Sequence, residues 1–95
     1  MSVKDDLIAA KALIDTQEKW RQDGRYGLLS GSLCAEGACM TATRSYNQLV
    51  DFLYDALPGK NRWKSVAEYN DDRRTTHADI MALFDRAIAA QETTS

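Results

Sequence analysis

Apolar side chains recur at intervals of three and four residues through most of this 95-residue chain, which is the period of an amphipathic α-helix. The first apolar stripe predicts a helix from about Val3 to Lys19, and the last predicts one from about His77 to Gln91. Between them the pattern predicts a short helix over Leu33 to about Thr43 and a longer helix from Tyr46 to Leu57. We therefore predict an all-α fold, a compact bundle of four main helices.

The Tyr46–Leu57 segment has the widest apolar face of the four, because only four of its positions are polar: Asn47, Gln48, Asp51 and Asp55. An apolar arc of this width is typical of a helix that packs on two sides. We therefore predict that this helix is the central one. Pro58 and Gly59 follow it and are expected to terminate it.

Helix starts are indicated by a serine or threonine that is followed, three residues later, by an acid or an amide. In this pattern each side chain accepts a hydrogen bond from a helix N–H group that otherwise lacks a partner. Ser32 is the expected cap of the second helix, and residues 65 to 69 are expected to form one short helical turn. Four capping pairs occur: Ser2 with Asp5, Ser45 with Gln48, Ser65 with Glu68, and Thr76 with Asp79.

The segment between the first two helices holds three of the five glycines. It predicts a glycine-rich loop over residues 21 to 32, with a short extended piece from Tyr26 to Leu29. The chain length fits one domain, which we place at residues 1–91 with a disordered tail over 92–95.

Composition and charge exclude several classes of protein. The hydrophobic fraction of 44% and the charged fraction of 27% are those of an ordinary globular domain. The net charge of −2 provides no overall field that attracts nucleic acid. No apolar run approaches the roughly 18 residues of a membrane span, and the acidic N-terminus does not fit a signal peptide. We expect no membrane association and a cytoplasmic location.

The two cysteines, Cys34 and Cys39, are expected to be reduced thiols, because five positions along one helix separate them beyond the ~7 Å limit of a disulfide. Cys34 lies near a helix start, where the helix dipole favours a thiolate. Together with His77 and Asp71 it gives a candidate catalytic set. The alternative is a buried structural cysteine, which its alanine and leucine neighbours favour.

The stretch "EYNDDRRTTHAD", residues 68 to 79, contains the single histidine of the chain. Thr76 and Asp79 form the cap of the last helix, and residues 70 to 72 are interpreted as a turn. His77 falls on the inner face of that helix, so we expect it to be tucked in and hydrogen-bonded. No zinc-type ligand spacing is present, and we predict neither a metal nor another cofactor.

Basic residues beside a tryptophan raise a nucleic-acid alternative, since an aromatic ring can stack on a base. The residues that would form one such surface are Arg62, Trp63, Lys64, Arg73 and Arg74. The negative net charge and the neighbouring acids weaken this interpretation. Trp63 is equally suited to close the core beneath the Pro58 turn.

Exposed apolar side chains favour a different function, the binding of another protein. Ile8 lies off the apolar stripe of the first helix, and Tyr26 and Trp63 are the other candidates. A small binding or regulatory module requires no catalytic set, so this is our leading functional hypothesis, with a second copy of the chain as one possible partner.

The order of motifs resembles a family of small bacterial and phage proteins that is catalogued as domain of unknown function 6197. The resemblance rests on "LIDTQEKW", Cys34-x-x-Gly37-Ala38, Tyr69-Asn70-Asp71 and "RTTHADIMALFDRAI", and it covers most of residues 7 to 90. Tyr69 stands where that family commonly has a tryptophan. The resemblance implies no activity, cofactor or partner, but it suggests an origin in a phage or mobile element.

The resemblance also implies that Cys34, Gly37, Tyr69, Asn70 and Asp71 act together. We hypothesise that Asn70 and Asp71 tie the segment before the last helix to the N-terminus of the Cys34 helix. Gly37 would permit the close approach, since it lacks a Cβ atom.

Overall fold

The computed structural model describes residues 2–22, 33–59 and 62–93, and within them the regular structure is helical. The predicted all-α fold is confirmed. The described residues contain no strand, only an isolated parallel bridge between Trp20 and Leu33. The helices are α1 (Val3–Leu13), α2 (Ala35–Ala42), α3 (Tyr46–Asp55), α4 (Val66–Asp71) and α5 (His77–Thr93).

Some predictions fall on residues outside the described part of the chain. These include the extended piece at Tyr26–Leu29. The prediction of Ser32 as the cap of the second helix is wrong, because Cys34 is the N-cap of α2. Of the predicted disordered tail, the backbone of residues 92 and 93 belongs to α5, and residues 94–95 lie outside the described part.

The core forms where α1 packs against α2 and α5. α2 contributes small side chains, and Ala35 and Ala38 are fully buried, which lets its backbone approach α1 closely. The larger buried side chains of α1 and α5 are those of Leu7, Ile14, Ile80, Leu83 and Phe84. The inner face predicted for the last helix is therefore the face that enters the core.

The third helix contacts each of the other four helices, as its wide apolar face predicts, but it is less buried than predicted. Of the ten residues of α3 only Leu49 and Leu53 are buried, and Tyr54 is 40% exposed. A tyrosine combines an apolar ring with a polar hydroxyl, so it widens the apolar arc of a sequence pattern without requiring burial. The Tyr54 hydroxyl donates to the backbone carbonyl of Trp63 at 3.2 Å.

The first helix is shorter than predicted, because the chain leaves the α-helix at Ile14. A 3₁₀ turn at Gln17–Lys19 follows. The Ile14 carbonyl oxygen, which a continuous helix would bond to Glu18, lies 2.7 Å from Nε2 of His77. The predicted hydrogen bond of His77 is thus present, and its partner is the C-terminal end of α1.

Three of the four predicted capping pairs make their hydrogen bonds. Ser2 Oγ accepts from Asp5 N at 3.1 Å, and Ser65 Oγ accepts from Glu68 N at 3.0 Å. Thr76 and Asp79 bond each other's backbone N–H groups at 3.2 Å and 2.9 Å. The prediction for Ser45 is wrong, because its side chain makes no cap hydrogen bond.

α4 is longer than the single turn predicted at residues 65 to 69, and it includes Asn70 and Asp71. The interpretation of residues 70 to 72 as a turn is therefore wrong for its first two members. Asp72 is the C-cap of α4, and its carboxylate accepts a hydrogen bond from Arg74 N at 2.8 Å.

Ser65 caps its helix with a side-chain hydrogen bond and Ser45 does not, so alanine variants at these two positions form a matched pair. Ser65→Ala should lower the free energy of unfolding by about 1 kcal/mol, because it removes an N-cap acceptor. Ser45→Ala should change it by only a few tenths of a kcal/mol. Urea denaturation of both variants measures the difference, and equal losses at the two serines would contradict the cap assignment.

Candidate binding site: the Asn70 network and the Trp63 pocket

Asn70 is fully buried on α4, and its side-chain amide joins three separate segments. Its Oδ1 accepts from Trp20 Nε1 at 2.7 Å and from the backbone N–H of Ala35 at 3.0 Å. Its Nδ2 donates to the Arg21 carbonyl at 3.0 Å and to Asp71 Oδ1 at 3.0 Å. Both donors and both acceptor positions of the amide are therefore used. We call these five residues the Asn70 network.

α2 and α4 each supply a hydrogen-bond acceptor to the N-terminus of the other. Asn70 accepts from Ala35, the first residue of α2, and Glu36 Oε2 accepts from Ala67 N in the first turn of α4 at 3.0 Å. Cys34 Sγ accepts a further α2 donor, the N–H of Gly37, at 3.3 Å. The hypothesised connection from Asn70 to the N-terminus of the Cys34 helix is thus present as a direct hydrogen bond.

Gln22 extends the connection to the segment between α4 and α5. Its Nε2 donates towards the carbonyl oxygens of Asn70 at 3.1 Å, Asp72 at 2.7 Å and Thr75 at 3.2 Å. These three carbonyls belong to the end of α4 and the connection that follows it. The side chain of Gln22 therefore holds this connection against the segment that follows α1.

The same connection forms one wall of a pocket of about 250 Å³. The remaining lining comes from the segment before α4, from α4 itself and from the first turn of α5. We call it the Trp63 pocket. Its lining residues are Arg62, Trp63, Tyr69, Asp72, Arg74, Thr75 and Asp79.

Trp63 is half-buried and forms a structural wall of this pocket. Its Nε1 donates to the Pro58 carbonyl at 3.0 Å. Its ring meets Tyr69 edge to face, with centroids 5.1 Å apart and an interplanar angle of 73°. The expectation of an exposed tryptophan is therefore wrong, and the alternative, closure of the core beneath the Pro58 turn, is the one that the structure shows.

Arg62 lies over the Trp63 ring, with its guanidinium carbon 5.3 Å from the ring centroid. Gly59 precedes Arg62 with a positive φ of 74°, a backbone conformation that favours glycine. A cation–π contact of this kind restricts a long side chain that would otherwise sample many rotamers.

The pocket carries both signs of charge. The Asp72 carboxylate lies 3.6 Å from Arg74 Nε, and Asp79 Oδ2 is bonded to Thr76 N. Burial, with the nearby Asp79 carboxylate, raises the pKa of the Tyr69 phenol, while the guanidinium of Arg86 acts in the opposite direction. Tyr69 therefore stays neutral at physiological pH, and the charges of the pocket are those of its arginines and aspartates.

Comparison with protein families identifies the family of this chain. A family model described as a family of unknown function (DUF6197) matches residues 1–90. The chain belongs to this family. The resemblance predicted from the motifs is confirmed. Neither the curated proteins nor the solved structures contain a match to it.

The structure brings together three of the five residues proposed for a basic aromatic surface. Arg62, Trp63 and Arg74 share the Trp63 pocket, whereas Lys64 and Arg73 are exposed and are not among its lining residues. The local pattern of charge could not distinguish these two sets, because side-chain direction in a non-helical segment has no fixed period.

Two of the three proposed apolar binding residues, Ile8 and Trp63, lie in the described part of the chain. Ile8 is 46% exposed on α1, and Tyr26 lies outside the described residues. Met40 and Tyr54 are also exposed, each by 40%, and the sequence analysis missed both. Tyr54 contacts the backbone of Trp63, so it lies beside the Trp63 pocket.

The candidate catalytic residues are engaged in structural contacts. Burial raises the pKa of the Cys34 thiol and outweighs the hydrogen bonds from the α2 backbone, so the helix start does not favour a thiolate. His77 bonds the end of α1 and lies 6.0 Å from the Trp20 ring. Asp71 accepts from Asn70. Within the described residues, no hydrogen bond joins Cys34 to His77.

Residues 2–22, 33–59 and 62–93 contain no group of three or more histidine, cysteine, aspartate or glutamate side chains placed to hold a metal ion. The helices of the same residues include none that is both long and apolar enough to span a membrane.

A second groove, of about 280 Å³, lies between the C-terminal parts of α3 and α5. Arg86 lines it, but its Nε donates to the Ala56 carbonyl at the end of α3 at 2.9 Å. The remaining lining is largely apolar and includes Phe52 and Ala90. This groove offers fewer groups for specific recognition than the Trp63 pocket does. The Trp63 pocket is therefore our candidate functional site.

Asn70→Ala should lower the free energy of unfolding by about 3 kcal/mol or more, because it leaves several buried polar groups without partners. Asn47→Ala on the exposed face of α3 is the matched control. It should cost nothing or give a gain of about 0.5 kcal/mol, since alanine is the better helix former. Chemical denaturation compares the two, and equal effects would contradict the structural role of Asn70.

The thiols should react slowly in the folded protein. The pKa of Cys34 is raised, and burial raises that of Cys39 to about 12, so the thiolate fraction of each at pH 8 is below that of an ordinary cysteine. Alkylation by iodoacetamide, followed by mass spectrometry, should be much faster in urea than in buffer. Rapid labelling of Cys34 in the native protein at pH 7 would contradict this and favour a catalytic thiol.

Proposed function

We propose that this DUF6197 protein is a protein-binding module and that the Trp63 pocket, with Tyr54 beside it, is its binding surface. The observation that carries the proposal is the meeting of Arg62, Trp63 and Arg74 in one pocket. Arginine, tryptophan and tyrosine are the residue types that contribute most to binding energy in protein interfaces. The groove between α3 and α5 has an arginine but no tryptophan or tyrosine in its lining.

The charges of the pocket favour a protein partner over nucleic acid. Asp72 and Asp79 line it together with the two arginines, so a polyphosphate backbone would meet carboxylates as well as guanidinium groups. The Trp63 ring already contacts Arg62 and Tyr69, which reduces the ring surface on which a base could stack. The net charge of −2 acts in the same direction.

The pocket is also held in position before any partner binds. Gln22 fixes the α4–α5 connection, and Thr75, a buried residue of that connection, lines the pocket. Arg62 is restrained by the Trp63 ring. Restraint of this kind lowers the entropy cost of association. The partner is another protein or a second copy of this chain. A cytoplasmic location and an origin in a phage or mobile element remain predictions.

Affinity capture from the native cytosol, with nuclease treatment, tests the proposal with two charge-matched variants. Arg62→Ala with Arg74→Ala removes two positive charges from the pocket. Lys64→Ala with Arg73→Ala removes two exposed positive charges that do not line it. We expect a protein recovered by the wild type to be retained by the Lys64/Arg73 variant. The Arg62/Arg74 variant should lose it, by at least about tenfold in affinity.

Two outcomes contradict the proposal. Equal recovery of the partner by both variants would place the interface elsewhere, with Ile8 on α1 as the next surface to change. Recovery that disappears on nuclease treatment, together with affinity that falls steeply with salt, would favour nucleic-acid binding instead. Circular dichroism melting curves of both variants should match the wild type, since all four side chains are exposed.

A further inference from the structure

The guanidinium group of Arg62 has hydrogen-bond donors that the fold does not use. Within the described residues its only side-chain interaction is the stacking contact with the Trp63 ring. The backbone N–H of Arg62 bonds the Gly59 carbonyl at 3.0 Å, so the residue is fixed at both the main chain and the side chain. The result is a positioned cation at the edge of the Trp63 pocket with unused N–H groups.

Arg74, across the same pocket, is in a similar state. Its side chain is 78% exposed, and its one charged contact in the described part of the chain is from Nε to Asp72, at 3.6 Å. That distance exceeds the range of an ordinary hydrogen bond. The terminal nitrogens of this guanidinium therefore remain available to a ligand.

The two carboxylates of the pocket already have backbone partners. Asp72 accepts from Arg74 N at 2.8 Å, and Asp79 accepts from Thr76 N at 2.9 Å. Both bonds stabilise the α4–α5 connection and the start of α5. In the described part of the chain each carboxylate thus has one of its two oxygens in a backbone hydrogen bond, whereas the guanidinium groups of Arg62 and Arg74 make no hydrogen bond.

We infer that the Trp63 pocket binds a carboxylate of the partner protein, held by the guanidinium groups of Arg62 and Arg74. This inference rests on the proposed function, in which the pocket is the binding surface. Guanidinium groups bind carboxylates in a planar, paired geometry that is shorter and stronger than neutral hydrogen bonds. The source is an aspartate or glutamate side chain or a terminal carboxylate, which share this chemistry.

The size of the pocket favours this ligand. A volume of about 250 Å³ is below the roughly 300–1,000 Å³ of pockets that enclose drug-sized molecules, and it suits one side chain of an extended peptide. Asp72 and Asp79 offset the charge of the two arginines, so we expect the carboxylate to be held by paired hydrogen bonds to the guanidinium groups rather than by net charge.

Selection of peptides from a random display library on the intact wild-type protein tests the inference. We expect the selected sequences to share an aspartate or glutamate at one position or a required terminal carboxylate. Synthetic peptides of the consensus sequence are then measured by calorimetry against three proteins. These are the wild type, Arg62→Ala with Arg74→Ala, and the charge-matched Lys64→Ala with Arg73→Ala.

Replacing the acidic residue of the peptide by its amide should weaken binding to the wild type and to the Lys64/Arg73 variant by at least about tenfold. The same replacement should have little effect on whatever binding remains in the Arg62/Arg74 variant. If amidation of the peptide C-terminus has this effect instead, the terminal carboxylate is the ligand. Either result supports the inference.

The failures of the two proposals are distinguishable. Peptides that require Arg62 and Arg74 but bind equally well without any carboxylate would overturn the inference and leave the pocket as a protein-binding surface. A selection that yields no peptide dependent on these arginines would overturn both. Arg62→Gln with Arg74→Gln, which preserves side-chain length more closely, provides a second variant should the alanine protein melt at a lower temperature.

Discussion

The buried amide of Asn70 is the interaction on which the rest of this structure depends. Its four hydrogen bonds join the segment after α1, the first residue of α2 and the last turn of α4, which are separated by up to 50 residues in the chain. A buried amide of this kind is stabilising only when all its donors and acceptors are satisfied. The network therefore specifies one arrangement of these three segments and penalises others.

The candidate site follows from that arrangement. Asn70 fixes α4, and Tyr69 on the same helix forms the floor of the Trp63 pocket beside Trp63. Gln22, next to the Arg21 carbonyl that Asn70 bonds, fixes the connection that contributes Asp72 and Thr75. The pocket thus includes a residue of α4, which the network holds, and residues of the connection that Gln22 holds, and Arg74 projects from that connection. Because these segments are already ordered, binding at this surface costs less conformational entropy than binding at a mobile surface.

The sequence predicts those parts of the fold that local periodicity controls. The inner face of α5 and the caps at Ser65 and Thr76 were predictable because their partners lie within four residues. The burial of α3 was overestimated, because Tyr46 and Tyr54 widened its apolar face without being fully buried. The turn assigned to Asn70 and Asp71 was wrong because local asparagine and aspartate statistics favour turns, whereas the partners that hold Asn70 lie 35 to 50 residues away.

The site was predictable only in part for the same reason. The cluster of basic residues around Trp63 indicated a surface, but the fold alone separates Arg62 and Arg74 from Lys64 and Arg73. Gln22 had no local signal at all, since its three acceptors are backbone carbonyls 48 to 53 residues further along the chain. The link between Asn70 and the Cys34 helix was suggested by family resemblance, which carries long-range information that periodicity lacks.

Amide hydrogen exchange at Ala35, measured by NMR under native conditions, tests the central role of Asn70 most directly. The first N–H groups of a helix have no partner within the helix and exchange readily. Because Asn70 Oδ1 accepts from Ala35 N in a buried site, the account predicts protection of Ala35 close to that of the core of α5, with opening only in global unfolding. Exchange of Ala35 as fast as that of Val3, the first residue of α1, would contradict it.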